Sequence, residues 1–292
     1  MFYFLFVSVV WGITWIAIGQ QFHSVDTFAA VFYRFLAASL ILFLFVKFKK
    51  LPLKFNKELH LLFLAQGLFL FCLNYQLNYW GSSLAPSALM ALGFTSLTYF
   101  NMFGAWVFLK IPIERKVLAG ACLSLLGMIF ISYNELIGQS LHPTSLVGFL
   151  LSLVATVSAS TGNLIALKAR NKKIPIASNN AWGMFYGSVF SLIFCLAAHK
   201  SLEIKSFDPS FVIAFLYLVI FGTVLSFGAY IKMIETLGPS KAAFTSVVSP
   251  VVAVCISITF ENFQVTWLLF AGIIFCLLGN VVALSPKNLL KK

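Results

Sequence analysis

Two stretches of the chain are versions of one another, and any fold has to accommodate both. Leu237–Glu261, LGPSKAAFTSVVSPVVAVCISITFE, repeats Leu84–Leu109, LAPSALMALGFTSLTYFNMFGAWVFL. Each begins with a Leu-x-Pro-Ser elbow, pairing Pro86 with Pro239 and Ser87 with Ser240. The stretch beyond repeats as well. LAGACLSLLG (Leu118–Gly127) aligns with FAGIIFCLLG (Phe270–Gly279), matching Gly120 with Gly272 and Gly127 with Gly279. A unit of about half the chain has been duplicated.

The unit is built for lipid. Hydrophobic residues make up 61% of the 292 and charged residues only 10%, against about 25% charged in a soluble domain. Polar residues gather in short runs between apolar segments near the roughly 20 residues a bilayer crossing needs. Ten spans are expected, about Phe2–Ile18, Thr27–Val46, Leu59–Trp80, Pro86–Leu109, Val117–Tyr133, Ser145–Leu167, Asn180–Ala198, Pro209–Ile234, Ser240–Phe260 and Thr266–Leu284. The opening MFYFLFVSVV has no basic n-region or small-residue cleavage site, so it reads as the first span.

The charges orient these spans. Lys47, Lys49, Lys50, Lys54 and Lys57 lie in the second connection, and Lys110, Arg115 and Lys116 in the fourth. Lys168, Arg170, Lys172 and Lys173 lie in the sixth, Lys232 and Lys241 by the eighth, and Lys287, Lys291 and Lys292 in the tail. Odd connections hold only Lys200 and Lys205. The positive-inside rule then puts both termini in the cytoplasm of a multi-pass protein of the cell's inner membrane. It also explains the net charge of +12 without a nucleic-acid partner. Halves of five spans each, 1–138 and 139–292, must enter the membrane from opposite sides, because five is odd. The expected fold is all-α: ten transmembrane helices in two inverted five-helix repeats, an arrangement suited to alternating access.

Several chemistries find no support. Cys72, Cys122, Cys195, Cys255 and Cys276 are scattered one to a span without a CxxC, and read as packing residues. His23, His60, His142 and His199 fall in loops or at span ends, so neither a metal nor a cofactor is expected. No P-loop or G-x-G-x-x-G is present, which argues against ATP drive within the chain. No catalytic constellation forms, so an enzyme is not expected.

The chain resembles the drug/metabolite transporter superfamily, and within it the EamA family. The resemblance rests on Trp11-Gly12, Arg34-Phe35, the two Pro-Ser elbows with their following helices, and Pro250 followed by Glu261. It implies ten helices in two inverted halves around a central cavity, moving small metabolites, often amino acids and often outward. The first copy departs from the pattern at Leu97 or Thr98, where the second has Pro250, and near Phe108–Lys110, where the second has Glu261.

Candidate cavity residues follow from polarity and spacing. Arg34 is the one charge well inside a span. It reads either as a cavity cation drawing a carboxylate or as a structural arginine bonded to carbonyls. Asn74 and Asn78 share a helical face, as do Tyr75 and Tyr79. Amides in hydrocarbon need partners, so that face turns to a cavity or a neighbouring helix. Phe94, Thr98 and Asn101 recur at i, i+4, i+7, as do Thr156, Ser160 and Asn163. Thr245 and Ser249 precede Pro250, and Ser249 either lines the path or satisfies backbone freed by the proline. Trp11, Trp15, Trp182, Tyr186 and Tyr230 offer flat walls or ordinary core packing. Gly120, Gly127, Gly272 and Gly279 suit close helix packing, with contact between two copies as a further use.

All eight carboxylates fall outside the midplane. Proton antiport therefore has no visible relay, and facilitated diffusion or exchange is favoured. Glu261 reads as an interfacial acid or an outer gate. The leading function is a carrier of small organic metabolites, with membrane lipids as its other partners. A nucleotide-sugar or lipid-linked carrier of the same fold would want more basic residues than Arg34 near the cavity. A non-transporting scaffold is the remaining alternative.

Overall fold

The computed structural model describes residues 2–85, 90, 93–131, 133, 143–260 and 266–285, with the side chains of 15, 170, 171 and 254–260 excepted. Expectations at Pro86, Ser87, Glu135 and Glu261, and for the side chains of Trp15 and Cys255, lie outside that set. The helices are α1 (Phe2–Gly19), α2 (Thr27–Phe48), α3 (Lys57–Ser82), α4 (Leu97–Leu109), α5 (Arg115–Ile131), α6 (Pro143–Asn171), α7 (Ile176–Ala197), α8 (Pro209–Leu237), α9 (Pro239–Ala242), α10 (Thr245–Phe260) and α11 (Trp267–Leu284). Among the described residues seven helices are long and apolar enough to cross a membrane: α1, α2, α3, α6, α7, α8 and α11. The other expected spans contain shorter described helices, of 13 residues in α4, 17 in α5 and 16 in α10.

The outer faces are apolar, with Phe108 and Trp267 three-quarters exposed. The interior holds many of the serines, threonines and asparagines. That distribution follows from lipid as solvent, where an exposed hydroxyl or amide has nothing to bond.

Helix neighbours obey the duplication. Trp11 Nε1 of α1 donates to Gly222 O of α8 at 3.2 Å, and Tyr217 of α8 donates to Val10 O of α1 at 2.9 Å. The equivalent contact joins α6 to α3, where Ser158 Oγ donates to Phe69 O at 2.7 Å. Likewise α1 packs on α10 through Gly12 against Val252, and α6 packs on α4 through Leu164 against Gly104. Two further pairs, α2 with α7 and α5 with α11, are each their own equivalent. In the α5–α11 pair Gly120 meets Gly279 and Gly127 meets Gly272, so the helices run antiparallel. Exchanging the halves (120 for 272, 127 for 279) carries one contact onto the other. A two-fold axis perpendicular to both helices does this, the geometry expected of inverted repeats. These glycines are in close contact with one another within the chain.

Both α3 and α8 carry a π-helical segment at mid-length, Gly67–Leu73 and Ile220–Leu225. A π-turn takes backbone carbonyls out of the regular i−4 ladder and is frequent at functional sites. The sequence pattern gave no sign of either segment.

The two ends differ in charge. At one end Lys241 pairs with Glu114 at 3.2 Å, Lys172 with Glu58, and Lys116 bonds Ser285 O. At the other, Val25 bridges Ile204, Lys200 lies 3.9 Å from Asp26, and Asp208 caps α8. Asp208 accepts from the Phe211 backbone N–H at 2.9 Å and from Ser210 at 2.8 Å, and also from Ser206 and Ser24. These donors, the Phe211 N–H foremost, hold its carboxyl down to about 2 from 3.8. A lowered value means the contribution to stability is complete above the ordinary value and lost as pH falls through about 2. The thermal-melting advantage of wild type over Asp208→Asn should therefore shrink as pH falls from 5 towards about 2. A pH-independent difference between the two would show that the cap carries no charge effect.

Candidate substrate cavity

A cavity enclosing about 680 Å³ of atom-free space, its open side included, lies where α1, α3, α4, α6, α8 and α10 converge. It runs from Tyr230, Asn163 and Ser249 towards Ile18 and Ser82, near the helix ends away from the lysine-rich face.

Nine of the residues singled out above lie on its walls: Trp11, Asn74, Tyr75, Asn78, Tyr79, Phe94, Asn163, Tyr230 and Ser249. Thr14, Leu70, Leu97, Ala159 and Phe227 were not anticipated. Thr14 and Phe227 are three residues from Trp11 and Tyr230, and Ala159 is four from Asn163, so helical spacing from one accepted wall residue finds them.

Arg34, Thr98, Asn101 and Trp182 lie elsewhere, as do Thr156, Ser160, Tyr186 and Thr245. Thr98 is buried beneath the cavity, its hydroxyl unpartnered. Asn101 lies below the wall, donating to Tyr230 Oη at 3.4 Å and to Pro239 O at 3.2 Å. Asn163 donates to the same phenol at 3.4 Å. This cluster closes the cavity towards the lysine-rich end. Trp182 packs instead between α2 and α3, edge-on to Phe43 and His60, with its indole N–H on Leu53 O.

Arg34 is fully buried behind the wall. Its Nε donates to Thr223 Oγ1 at 2.8 Å, and its terminal nitrogens donate to Gly222 O at 3.3 Å and Tyr79 Oη at 3.4 Å. Gly222 and Thr223 belong to the π-turn of α8, so the arginine bonds one carbonyl and one hydroxyl of that turn. Its Cζ sits 4.9 Å from the centroid of the Tyr75 ring. Among the described residues no carboxylate pairs with it. The charge is held by neutral acceptors and aromatic faces, and reaches the cavity through Tyr75 and Tyr79.

The opposite chemistry comes from amide oxygens. Asn78 Nδ2 donates to Asn74 O and Oδ1, and Asn74 Nδ2 donates to Leu70 O. Backbone carbonyls only accept, which fixes each amide with its nitrogen towards the helix. Asn78 Oδ1 is left without a partner, as are Asn163 Oδ1 and, below, Asn101 Oδ1. Two residues lining the cavity, Asn78 and Asn163, thus carry amide oxygens without a partner, and the rings of Tyr75 and Tyr79 stand between it and the buried cation.

The EamA-like transporter family model matches residues 1–133 and again residues 146–285. A protein of Escherichia coli (strain K12) named "Probable amino-acid metabolite efflux pump" is 25% identical over 299 residues, covering 98% of this chain and 96% of its own length. The "Uncharacterized transporter YoaV" of Bacillus subtilis (strain 168) is 24% identical, covering 85% of this chain and 83% of its own. One crystal structure superposes with a TM-score of 0.79 at 14% identity, over 97% of this chain and 96% of that one, a likeness of fold alone. Because the family model fits twice, once to each duplicated unit, the chain as a whole belongs to the EamA-like transporter family.

Proposed function

We propose that the chain exports small zwitterionic metabolites of the amino-acid class across the inner membrane. In this reading ten helices span the bilayer as two inverted halves, 1–138 and 139–292, with both termini and the lysine-rich end in the cytoplasm. The cavity then faces outward, closed on the cytoplasmic side by Asn101, Asn163 and Tyr230, and exchange of the halves' conformations opens it inward. One observation carries the substrate class: the cavity is lined both by Asn78 and Asn163, whose amide oxygens lack partners, and by Tyr75 and Tyr79, which separate it from Arg34. An ammonium group satisfies the first and a carboxylate the second. The name of the Escherichia coli relative points the same way. Among the described residues no carboxylate lines the cavity, which favours exchange or facilitated diffusion over proton coupling.

The test is flux from proteoliposomes preloaded with amino acids, their decarboxylated amines and their deaminated acids. Zwitterions should leave fastest. Asn78→Leu and Asn163→Leu should each slow zwitterion flux about 10-fold or more, the worth of one hydrogen bond to a charged group. Equal flux of the amine, the acid and the zwitterion would overturn the substrate class.

A further inference from the structure

A second, wider groove opens sideways towards the bilayer at the lysine-rich end, between α1, α2, α7 and α8. It holds about 1430 Å³ of atom-free space, its open side included. Its walls are apolar, with Phe2, Phe45, Ile220 and Leu225 all more than a third exposed. Besides the Tyr3 phenol, Asn180 and Lys232 interrupt them. Asn180 is only 1% exposed, and its Oδ1 has no hydrogen-bond partner. Lys232 stands on the opposite helix, its Nζ 3.0 Å from Glu235 and partly open to solvent. Asn180 is four residues inside the start of α7 and Lys232 five residues before the end of α8. At 1.5 Å per residue both lie about 6–8 Å from the helix ends, at the depth where lipid head groups meet their chains. Three residues past Phe45 on its helix, α2 ends, and the exposed Lys47, Lys49 and Lys50 cluster there.

We propose that this groove is a binding site for phosphatidylglycerol. The acyl chains cover the apolar walls. The phosphodiester lies by Lys232 and the α2 lysines, since basic recesses between membrane helices attract anionic head groups. A glycerol hydroxyl donates to Asn180 Oδ1, supplying the partner this buried oxygen lacks. Phosphatidylcholine has neither the net charge nor the donor. The proposal requires only that the bundle sits in a bilayer, and stands apart from the choice of transported substrate.

Gly228 supplies a clean probe. It lines the groove, and a Cβ placed on it meets nothing within 4 Å, so a side chain can be added there without a backbone clash at its first atom. The experiment is native mass spectrometry of the detergent-purified full chain, titrated with phosphatidylglycerol or phosphatidylcholine of identical chains. Wild type should retain phosphatidylglycerol about fivefold better, the effect of one lysine near an anionic surface. Lys232→Gln should lower that retention by a similar factor, and Asn180→Leu should reduce the preference further. Gly228→Leu should remove bound lipid of both kinds with an unchanged melting temperature in detergent. If Gly228→Leu melts early, Lys232→Gln, a change on a partly exposed side chain, decides the matter alone. Equal retention of the two lipids by wild type, or undiminished phosphatidylglycerol binding by Lys232→Gln, overturns the proposal.

Discussion

Arg34→Leu is expected to cut the flux of a carboxylate-bearing substrate about thirtyfold while shifting the melting temperature little. The flux estimate rests on distance. The guanidinium carbon is 4.9 Å from the Tyr75 ring centroid, and a ligand on the far face adds a contact of about 3.5–4 Å. Unit charges about 8.5 Å apart at an effective dielectric of about 20 interact by about 2 kcal/mol, or about thirtyfold. The stability estimate rests on two opposing terms. Hydrogen bonds from a charged donor contribute about 1.5–3 kcal/mol each, and Arg34 makes three, two of them long. Against them stands a desolvation cost of several kcal/mol for a buried ion, with no paired carboxylate among the described residues to offset it. Leucine removes both. Gly222 O keeps its bond from Trp11, and Thr223 keeps its own donation to Leu218 O. Arg34→Lys retains the charge but loses the fork that reaches three acceptors at once, so its flux should fall between the two. Wild-type carboxylate flux in Arg34→Leu would show that the arginine serves the π-turn and nothing else.

Gly127→Leu should prevent the chain from accumulating as a monodisperse folded protein. A Cβ built on Gly127 lies 2.6 Å from Gly272 O and from Cys276 N. Both are backbone atoms of the facing helix, which no rotamer change can move aside. Overpacking that side chains can absorb costs about 1–3 kcal/mol, so a clash with rigid backbone should exceed about 3 kcal/mol, a large part of any domain's stability. Gly127→Ala should already lower the melting temperature clearly. Gly19→Ala, with nothing within 4 Å of the new carbon, is the matched control and should melt like wild type. Size-exclusion yield and thermal melting read both outcomes. Indistinguishable melting of Gly127→Ala and Gly19→Ala would mean that the α5–α11 contact is looser than its geometry.

Much of this architecture is legible in the sequence, for reasons peculiar to lipid. An asparagine or threonine in an apolar span has to turn away from hydrocarbon, so Asn74, Asn78 and Asn163 could be aimed inward from composition alone. The repeated glycines likewise announced a close contact, though not its partner. Trp182 shows the limit. An apolar helix in a membrane is apolar all round, so periodicity does not separate the face meeting lipid from the face meeting protein, and an indole suits both. The π-turns of α3 and α8 escaped because they depend on carbonyls finding donors such as Arg34 and Ser158 on other helices. Thr98 and Asn101 lie on the expected face of α4, one turn too deep to reach the cavity.

The antiparallel glycine contact between α5 and α11 also bears on how such a chain could arise. Because each side of the contact is the other's copy, a single unduplicated five-helix unit would already carry both. Two such units inserted in opposite orientations would meet through the same surface, as the partners of a two-fold dimer do. Joining them in one gene leaves the contact intact but frees its two sides to change separately. Ser124 now stands against Gly279, and Cys276 against Gly127, in positions where a symmetric pair would have had to place the same residue twice.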